Sequence, residues 1–225
     1  MTHSNASGVF IQVINLERRP DRLARISAEL QRSGLSFETQ VAVDGRLETH
    51  NPKFISKGAI GCWKSHVNSM RTIVRAKVPF GLILEDDAVL SPVVNDEFLS
   101  EMIDLMKRNQ LDILQLGFIE GPYSVSLRSI LSGTLEFLIE LLRSRGKRDS
   151  SGARFVLGEF RIGTHAYLVN DRLAEAIADT FPGPPLLAWG EYLSILAKGQ
   201  MHRGIRIARL RKAVSLQVPL HFEEI

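Results

Sequence analysis

Apolar residues in this chain fall into two rhythms that alternate. Short unbroken runs read as buried strands, and stretches where apolar residues recur every three or four positions read as helices. The runs are Val9–Asn15 (VFIQVIN), Phe37–Val43, Phe80–Leu84 within PFGLILEDDAVLSP (79–92), and Leu111–Leu116 (LDILQL). Between the first two, Leu23, Ile26 and Leu30 mark one helical face, with Pro20 at its start and Gly34 at its end. Proline loses nothing in the first turn, where its missing N–H has no partner anyway, and glycine suits the residue just past the last turn. Gly58–Val74 carries the stripe Ile60, Trp63, Val67, Met70 and Val74, and Asp96–Lys107 carries Phe98, Met102, Ile103, Leu105 and Met106. Asp44–Gly45 is a turn signal closing the second strand, and residues 46–57 read as loop. Further on, GTHAYLVN (163–170) predicts a loop entering a strand, with Asp171 capping a helix over Arg172–Thr180. Pro182–Pro185 predicts a rigid loop, Trp189–Lys198 a helix, His202–Lys212 a basic tail and Val214–Leu220 a last strand. Strands alternating with helices predict an α/β fold with a mainly parallel central sheet flanked by helices.

One segment breaks the alternation. Val125, Leu127, Ile130, Leu131, Leu135, Leu138, Ile139 and Leu142 recur at helical spacing, and the chain then turns basic at Arg143, Arg145, Lys147 and Arg148. Residues 120–154 therefore read as a helical insertion in a single domain spanning 1–225. Its apolar stripe is expected either to bury against the core or to lie on an anionic membrane surface, with the basic residues against the headgroups.

Composition narrows the class. With 225 residues, 44% hydrophobic and 24% charged, the chain can bury a substantial core and is not disordered. Cys62 stands alone, which excludes an internal disulfide framework and fits a reducing compartment. The start, MTHSNASG, lacks an apolar secretion segment, and no run of about 20 apolar residues spans a bilayer. The expected location is cytoplasmic, with peripheral contact at the inner membrane. A net charge of +3 and a pI of about 9.2 suit an anionic substrate or surface. The sequence carries no zinc-finger ligand spacing, no Walker loop, no G-x-S-x-G elbow and no internal repeat.

Candidate chemistry collects at the ends of the predicted strands. Glu85, Asp86 and Asp87 follow an apolar run directly. Uncompensated charge next to a core is costly, and a hard divalent cation such as Mg²⁺ or Mn²⁺ would relieve it through carboxylate oxygens. The alternative is a strand ending in a solvated acidic turn. Arg18, Arg19 and Arg22 sit at a strand-to-helix junction, where α/β sheets bind ligands and a helix N-terminus favours phosphate. The alternative there is a set of solvated arginines. Gly61 and Ser65, and Cys62 and His66, are each spaced i,i+4, giving the helix expected over Gly58–Val74 a small, polar face open to a backbone or a ligand. Taken alone, His66 reads equally as a hydrogen-bonded structural histidine and Cys62 as a small core residue.

Six stretches in order then resemble glycosyltransferase family 25: VINLERRPDR (13–22), AVDG (42–45), GAIGCWKSH (58–66), LILEDDAVLSP (82–92), DILQLG (112–117) and GTHAYLVN (163–170). The resemblance implies a GT-A-like nucleotide-binding fold. It implies transfer of a hexose, galactose or glucose, from a UDP-sugar to a glycan or lipid-linked glycan acceptor in lipopolysaccharide, lipooligosaccharide or surface polysaccharide biosynthesis, with inversion. The family's DxD-like acidic motif falls on Glu85, Asp86 and Asp87, which implies Mn²⁺ or Mg²⁺ on Asp86 and Asp87. Donor-binding positions are expected at Asn15, Leu16, Arg18, Arg19, Arg22, Asp44, Gly45, Gly61, Ser65, His66, Glu85 and Asp86. Acceptor-binding positions are expected at Gly163, Thr164, His165 and Tyr167. The family's acid after the proline-rich loop has no identical counterpart in Trp189–Gly190–Glu191–Tyr192–Leu193, so Glu191 is the expected general base and His165 its rival. Two other classes stay open: a metal-dependent nucleotidyltransferase, and a non-catalytic sugar-nucleotide or glycan-binding module. Nucleic acid is not an expected partner.

Overall fold

The computed structural model describes residues 5–49, 55–118, 155–161, 163–180, 187–198, 204–211 and 213–217. In chain order the elements are β1 (Phe10–Asn15), α1 (Pro20–Arg32), β2 (Glu38–Val41), a 3₁₀ turn (Gly45–Leu47), α2 (Lys57–Ala76), β3 (Phe80–Glu85), β4 (Ala88–Leu90), α3 (Asp96–Asn109) and β5 (Ile113–Gly117). They continue with β6 (Phe155–Leu157), β7 (Ala166–Asn170), α4 (Asp171–Thr180), α5 (Trp189–Ala197), β8 (Ile207–Leu210) and β9 (Ser215–Gln217).

The strands form one mixed sheet in the order β2-β1-β3-β7-β5-β8-β6, with β9 pairing β5 and β4. β1 runs parallel to β2 and β3, and β5 runs parallel to β8 and β9. β7 lies antiparallel between β3 and β5, so β3 and β5 share a direction. The expected mainly parallel α/β sheet is present, with β7, β6 and β4 reversed.

Period-two alternation divides the core between the two faces. Val9, Ile11 and Val13 pack on one side with Ile26 and Leu30 of α1 and Leu99, Met102, Ile103 and Met106 of α3. Phe10 and Ile14 point the other way, toward Trp63, Val67, Met70 and Ile73 of α2, Leu173 and Ile177 of α4, and Trp189, Tyr192 and Leu193 of α5. Each fully buried aliphatic or aromatic side chain contributes about 1.5–3 kcal/mol relative to exposure. The stripes expected for the first three helices are thus the faces that fix α1, α2 and α3 to the sheet.

Side-chain caps set where the helices begin. Ser56 Oγ accepts the Ala59 N–H at 3.1 Å, and Asn95 Oδ1 accepts the Phe98 N–H at 2.9 Å. At α4 the cap is Asn170, whose Oδ1 accepts the Leu173 N–H at 2.9 Å. The expected cap, Asp171, instead takes the adjacent Arg172 N–H at 2.7 Å, because the helix begins one residue earlier than predicted. The expected basic tail contains strand β8, fully buried along its length, and β6 pairs it. The predicted insertion at 120–154 and the proline loop at 182–185 lie outside the described residues. No helix among the described residues is long and apolar enough to cross a membrane.

Candidate functional site

The parallel pairing of β1 and β3 brings their C-terminal ends together: Ile14 stands opposite Glu85, and the Asp86 N–H donates to the Ile14 carbonyl at 3.0 Å. The chain leaves β1 into α1 and leaves β3 into the Asp86–Asp87 turn before β4. Beside these ends lies a cavity of about 440 Å³. Its walls are the exit of β1 (Ile14, Leu16), the start of α1 (Arg18, Arg22), the turn Ala42–Arg46, the first turns of α2 (Lys57, Gly58, Cys62, Ser65, His66) and the end of β3 (Glu85, Asp86, Asp87).

Small residues hold the turn against α2. A Cβ on Gly61 would come within 2.5 Å of the Val43 carbonyl oxygen and 2.8 Å of the Gly45 nitrogen, both backbone atoms that cannot rotate away. A Cβ on Gly45 would collide with the Lys57 carbonyl at the head of α2. Ser65 Oγ fastens the same contact: it donates to the Gly61 carbonyl at 2.7 Å and accepts the Val43 N–H at 2.8 Å. The two glycines therefore let two backbones meet and so form the cavity wall, and Gly61 itself does not line the cavity. Asp44 closes the turn by accepting the Arg46 N–H at 3.0 Å and the Arg18 Nε–H at 2.9 Å. The Arg46 N–H and the Arg18 guanidinium hold its carboxyl below the usual range.

The three acids at the end of β3 have different surroundings. Asp86 accepts from Asn15 Nδ2 at 2.8 Å, and Arg22 approaches it at 3.4 Å and Asp87 at 3.9 Å. Arg25 reaches the Asp86 main-chain carbonyl at 2.7 Å. Asp86 and Asp87 present hard carboxylate oxygens at a cavity wall, with Arg22 beside both. That donor set suits Mg²⁺ or Mn²⁺.

Glu85 belongs to another network. Its Oε1 accepts from Thr164 Oγ1 and stands 3.2 Å from His66 Nε2. His66 Nδ1 lies 2.9 Å from the Tyr167 hydroxyl, which accepts the Trp189 indole N–H at 3.3 Å. An ionised Glu85 places the imidazole proton on Nε2, so Nδ1 accepts from Tyr167 O–H, and the chain of donors runs from Trp189 to the cavity. Trp189 also stacks on His66, with ring centroids 5.4 Å apart and planes 9° from parallel. Burial pushes the Glu85 carboxyl up, but the His66 and Thr164 hydrogen bonds outweigh it and leave it below the usual range. Burial holds the Tyr167 phenol protonated.

Of the expected donor residues, Leu16, Arg18, Arg22, Asp44, Gly45, Ser65, His66, Glu85 and Asp86 line the cavity, as does Asp87. Asn15 supports from behind through Asp86 and through the Arg19 carbonyl, 3.0 Å away. Arg19 turns to the exposed Asp21 at 2.8 Å. The expected acceptor and base residues are not brought to this cavity as reacting groups. Tyr167 is fully buried behind His66. Gly163 offers its carbonyl to Gln115 Nε2 at 2.6 Å, and Thr164 reaches the site only through Glu85. His165 is fully buried, bonded through Nε2 to the Ser215 carbonyl at 3.1 Å, and burial lowers its pKa. Glu191 accepts the Ala188 N–H at 3.1 Å as the cap of its own helix.

Sequence reasoning passed over Arg46, Lys57 and Trp189. Arg46 directly follows the Asp44–Gly45 signal, and Lys57 opens the helix that carries Ser65 and His66, so both cations were one step from residues already singled out. Trp189 carried no signal of its own, because its contact with His66 is set by how α5 packs on α2.

A family model described as glycosyltransferase family 25 (LPS biosynthesis protein) matches residues 9–182. The chain belongs to glycosyltransferase family 25. The matched span contains every residue that lines the cavity and ends before Glu191. Curated relatives, each called a glycosyltransferase 25 family member, include one from Drosophila melanogaster, 28% identical over 48% of this chain and 20% of the relative. Another, from Aedes aegypti, is 26% identical over 58% of this chain and 26% of the relative. The chain thus matches about a fifth to a quarter of the length of these family 25 relatives. Among solved structures, one described as a glycosyltransferase involved in the glycosylation of the major capsid of PBCV-1 superposes with TM-score 0.48 and 11% identity, covering 96% of each chain. A197 from STIV superposes with TM-score 0.43 and 13% identity, covering 92% of this chain and 82% of its own.

Proposed function

We propose that this family 25 chain transfers a hexose, galactose or glucose, from a UDP-sugar to a glycan or lipid-linked glycan acceptor in the biosynthesis of lipopolysaccharide, lipooligosaccharide or a related surface polysaccharide. The observation that carries the reading is the cavity at the ends of β1 and β3, where Arg18, Arg22, Arg46 and Lys57 face Glu85, Asp86 and Asp87. Cations at two helix starts suit a diphosphate, because guanidinium, ammonium and helix N–H groups all favour oxyanions. The turn Ala42–Arg46 and Leu16 give a partly apolar wall against which a nucleoside can lie. Glu85, fixed by His66 and Thr164, points a carboxylate into the same space, and a sugar hydroxyl is its natural donor. Its lowered pKa suits it to orienting a hydroxyl more than to accepting a proton.

Asp86 and Asp87 would hold Mg²⁺ or Mn²⁺, which when bound offsets negative charge on the leaving diphosphate. Arg22, close to both carboxylates, would swing to the diphosphate as its partner. The transfer is proposed to invert the anomeric centre and to take place at the cytoplasmic face of a membrane.

The test is a UDP-release assay over a panel of UDP-sugars with Mn²⁺. UDP release with UDP-galactose or UDP-glucose is expected, and pyrophosphate release instead selects a nucleotidyltransferase. A second reading, a sugar-nucleotide-binding module without turnover, is favoured by one observation: Glu191 caps its own helix away from the donor cavity. Tight UDP-sugar binding with no UDP released for any acceptor would select it.

A further inference from the structure

The inner wall of the cavity carries a second donor set, different in kind from Asp86 and Asp87. Cys62 and His66 stand one turn apart on α2, and Glu85 faces them from the end of β3. The Cys62 sulfur, a ring nitrogen of His66 and a carboxylate oxygen of Glu85 all lie within 4.8 Å of one another. His66 Nε2 and Glu85 Oε1 are 3.2 Å apart. A tetrahedral ion with N and O ligands at about 2.0–2.1 Å sets its ligands about 3.3 Å from each other, so this edge is already at bonding separation. The sulfur has to close by at most about 1.3 Å. All three residues line the cavity, which supplies an entry path and leaves the fourth position facing open space.

We propose that Cys62, His66 and Glu85 form a binding site for a borderline transition-metal ion, Zn²⁺ or Co²⁺. The thiol and imidazole discriminate against Mg²⁺ and Mn²⁺, which favour all-oxygen sites. Binding exchanges one proton: the Cys62 S–H bond breaks, the sulfur–metal bond forms and the proton leaves to solvent. His66 shifts its remaining N–H to Nδ1, where the Tyr167 hydroxyl at 2.9 Å accepts it, the outer-shell bond that orients a metal-bound histidine. Burial and the neighbouring Glu85 charge keep the empty thiol protonated, so the cysteine is inert until a metal displaces the proton. An ion held here withdraws Glu85 and His66 from the cavity, so Zn²⁺ acts as an inhibitor; this consequence, unlike the site, rests on the transferase reading above.

The experiment is a Co²⁺ titration of the full chain followed by absorbance. Cys62 is the sole cysteine, so a thiolate-to-cobalt charge-transfer band reports on this position alone. A saturable band is expected, displaced by Zn²⁺ and not by Mg²⁺, and absent in Cys62→Ser. Its affinity should fall at least about tenfold in His66→Gln and in Glu85→Gln, since loss of even an outer-shell partner has that effect. Glu85 is the less buried of the two, and circular dichroism verifies the fold of each variant. No band at saturating Co²⁺, or a band whose affinity is unchanged in both variants, overturns the site. A band in a chain that releases no UDP upholds the site and counts against the transferase reading alone. In an active enzyme, Zn²⁺ should slow UDP release by wild type and not by Cys62→Ser; equal inhibition of both overturns the inhibitory role.

Discussion

Among the described residues, buried aspartates sit at opposite ends of strands that share one direction. Asp112 sits just before β5, and Asp86 and Asp87 sit just after β3. Asp112 is enclosed by donors: Arg172 reaches Oδ1 at 2.6 Å and Oδ2 at 2.7 Å, Asn170 Nδ2 reaches Oδ1 at 2.8 Å and the Arg206 N–H reaches Oδ2 at 2.7 Å. Those donors come from the end of β7, from α4 and from the approach to β8, so one carboxylate ties three parts of the chain. Asp86 and Asp87 are buried as well, but they line a cavity, and Arg22 stands 3.4 Å from Asp86 and 3.9 Å from Asp87. Burial alone therefore does not separate a structural acid from a functional one. What separates them is whether the fold encloses the carboxylate or places it at the wall of a cavity that something can enter.

The sharpest way to break this comparison is to neutralise one acid at each end. Asp87→Asn keeps the shape and removes a metal-binding charge. If the leaving diphosphate depends on that charge, turnover should fall by roughly 10²-fold or more. The melting temperature should change little, because asparagine keeps the shape of the side chain and its amide oxygen can still accept a hydrogen bond. EDTA should abolish turnover of the wild type in the same assay, and undiminished turnover in EDTA would remove the metal from the proposal.

Asp112→Ala should do the reverse. It leaves the part-buried Asn170 amide and Arg206 N–H without their acceptor, at a cost of about 1–3 kcal/mol. For a chain of this size that lowers the melting temperature by about 2–12 °C. Turnover per folded molecule should stay near wild type well below the transition. A variant that melts normally but has lost turnover would show that the two ends of the sheet are not independent.

The same contrast explains what could be read from the sequence. Strand and helix positions followed from periodicity, because period-two runs such as Val9–Asn15 and stripes such as Ile26 and Leu30 record which faces are buried. Most of the cavity was legible too, since Arg18, Arg22, Asp44, Ser65, His66 and the acids at 85–87 lie at strand ends or in the turn and helix face beside them, which pattern alone locates. Gly61 was singled out for the right property, small size, but only the structure shows that it admits the Val43–Gly45 backbone. Lost to sequence reasoning were contacts set by tertiary packing: Trp189 on His66, Tyr167 behind it, and the enclosure of Asp112. β8 was also missed, because Arg206, Arg209 and Arg211 disguised a buried strand as a basic tail. Arg209 is accommodated there by Glu159 at 2.6 Å.

The smallest expected effect concerns Glu191, the acid that sequence reasoning placed in the reaction. Its side chain accepts the Ala188 N–H at 3.1 Å, which satisfies a backbone donor otherwise orphaned at a helix start. Glutamine serves that position as well as glutamate, since its amide oxygen accepts the same bond. Glu191→Gln should therefore leave turnover and UDP-sugar affinity within about twofold and lower stability by no more than a few tenths of a kcal/mol, the share owed to a negative charge at a helix N-terminus. Glu191→Ala, which leaves that exposed backbone donor to water, should cost no more than about 1 kcal/mol and still transfer sugar. Both variants separate position in the sequence from position in the site. A loss of the order of 10²–10⁴-fold in Glu191→Gln, the scale of general-base catalysis, would mean that α5 releases this carboxylate toward a bound acceptor, and the division between fold-held and cavity-facing acids would have to be redrawn.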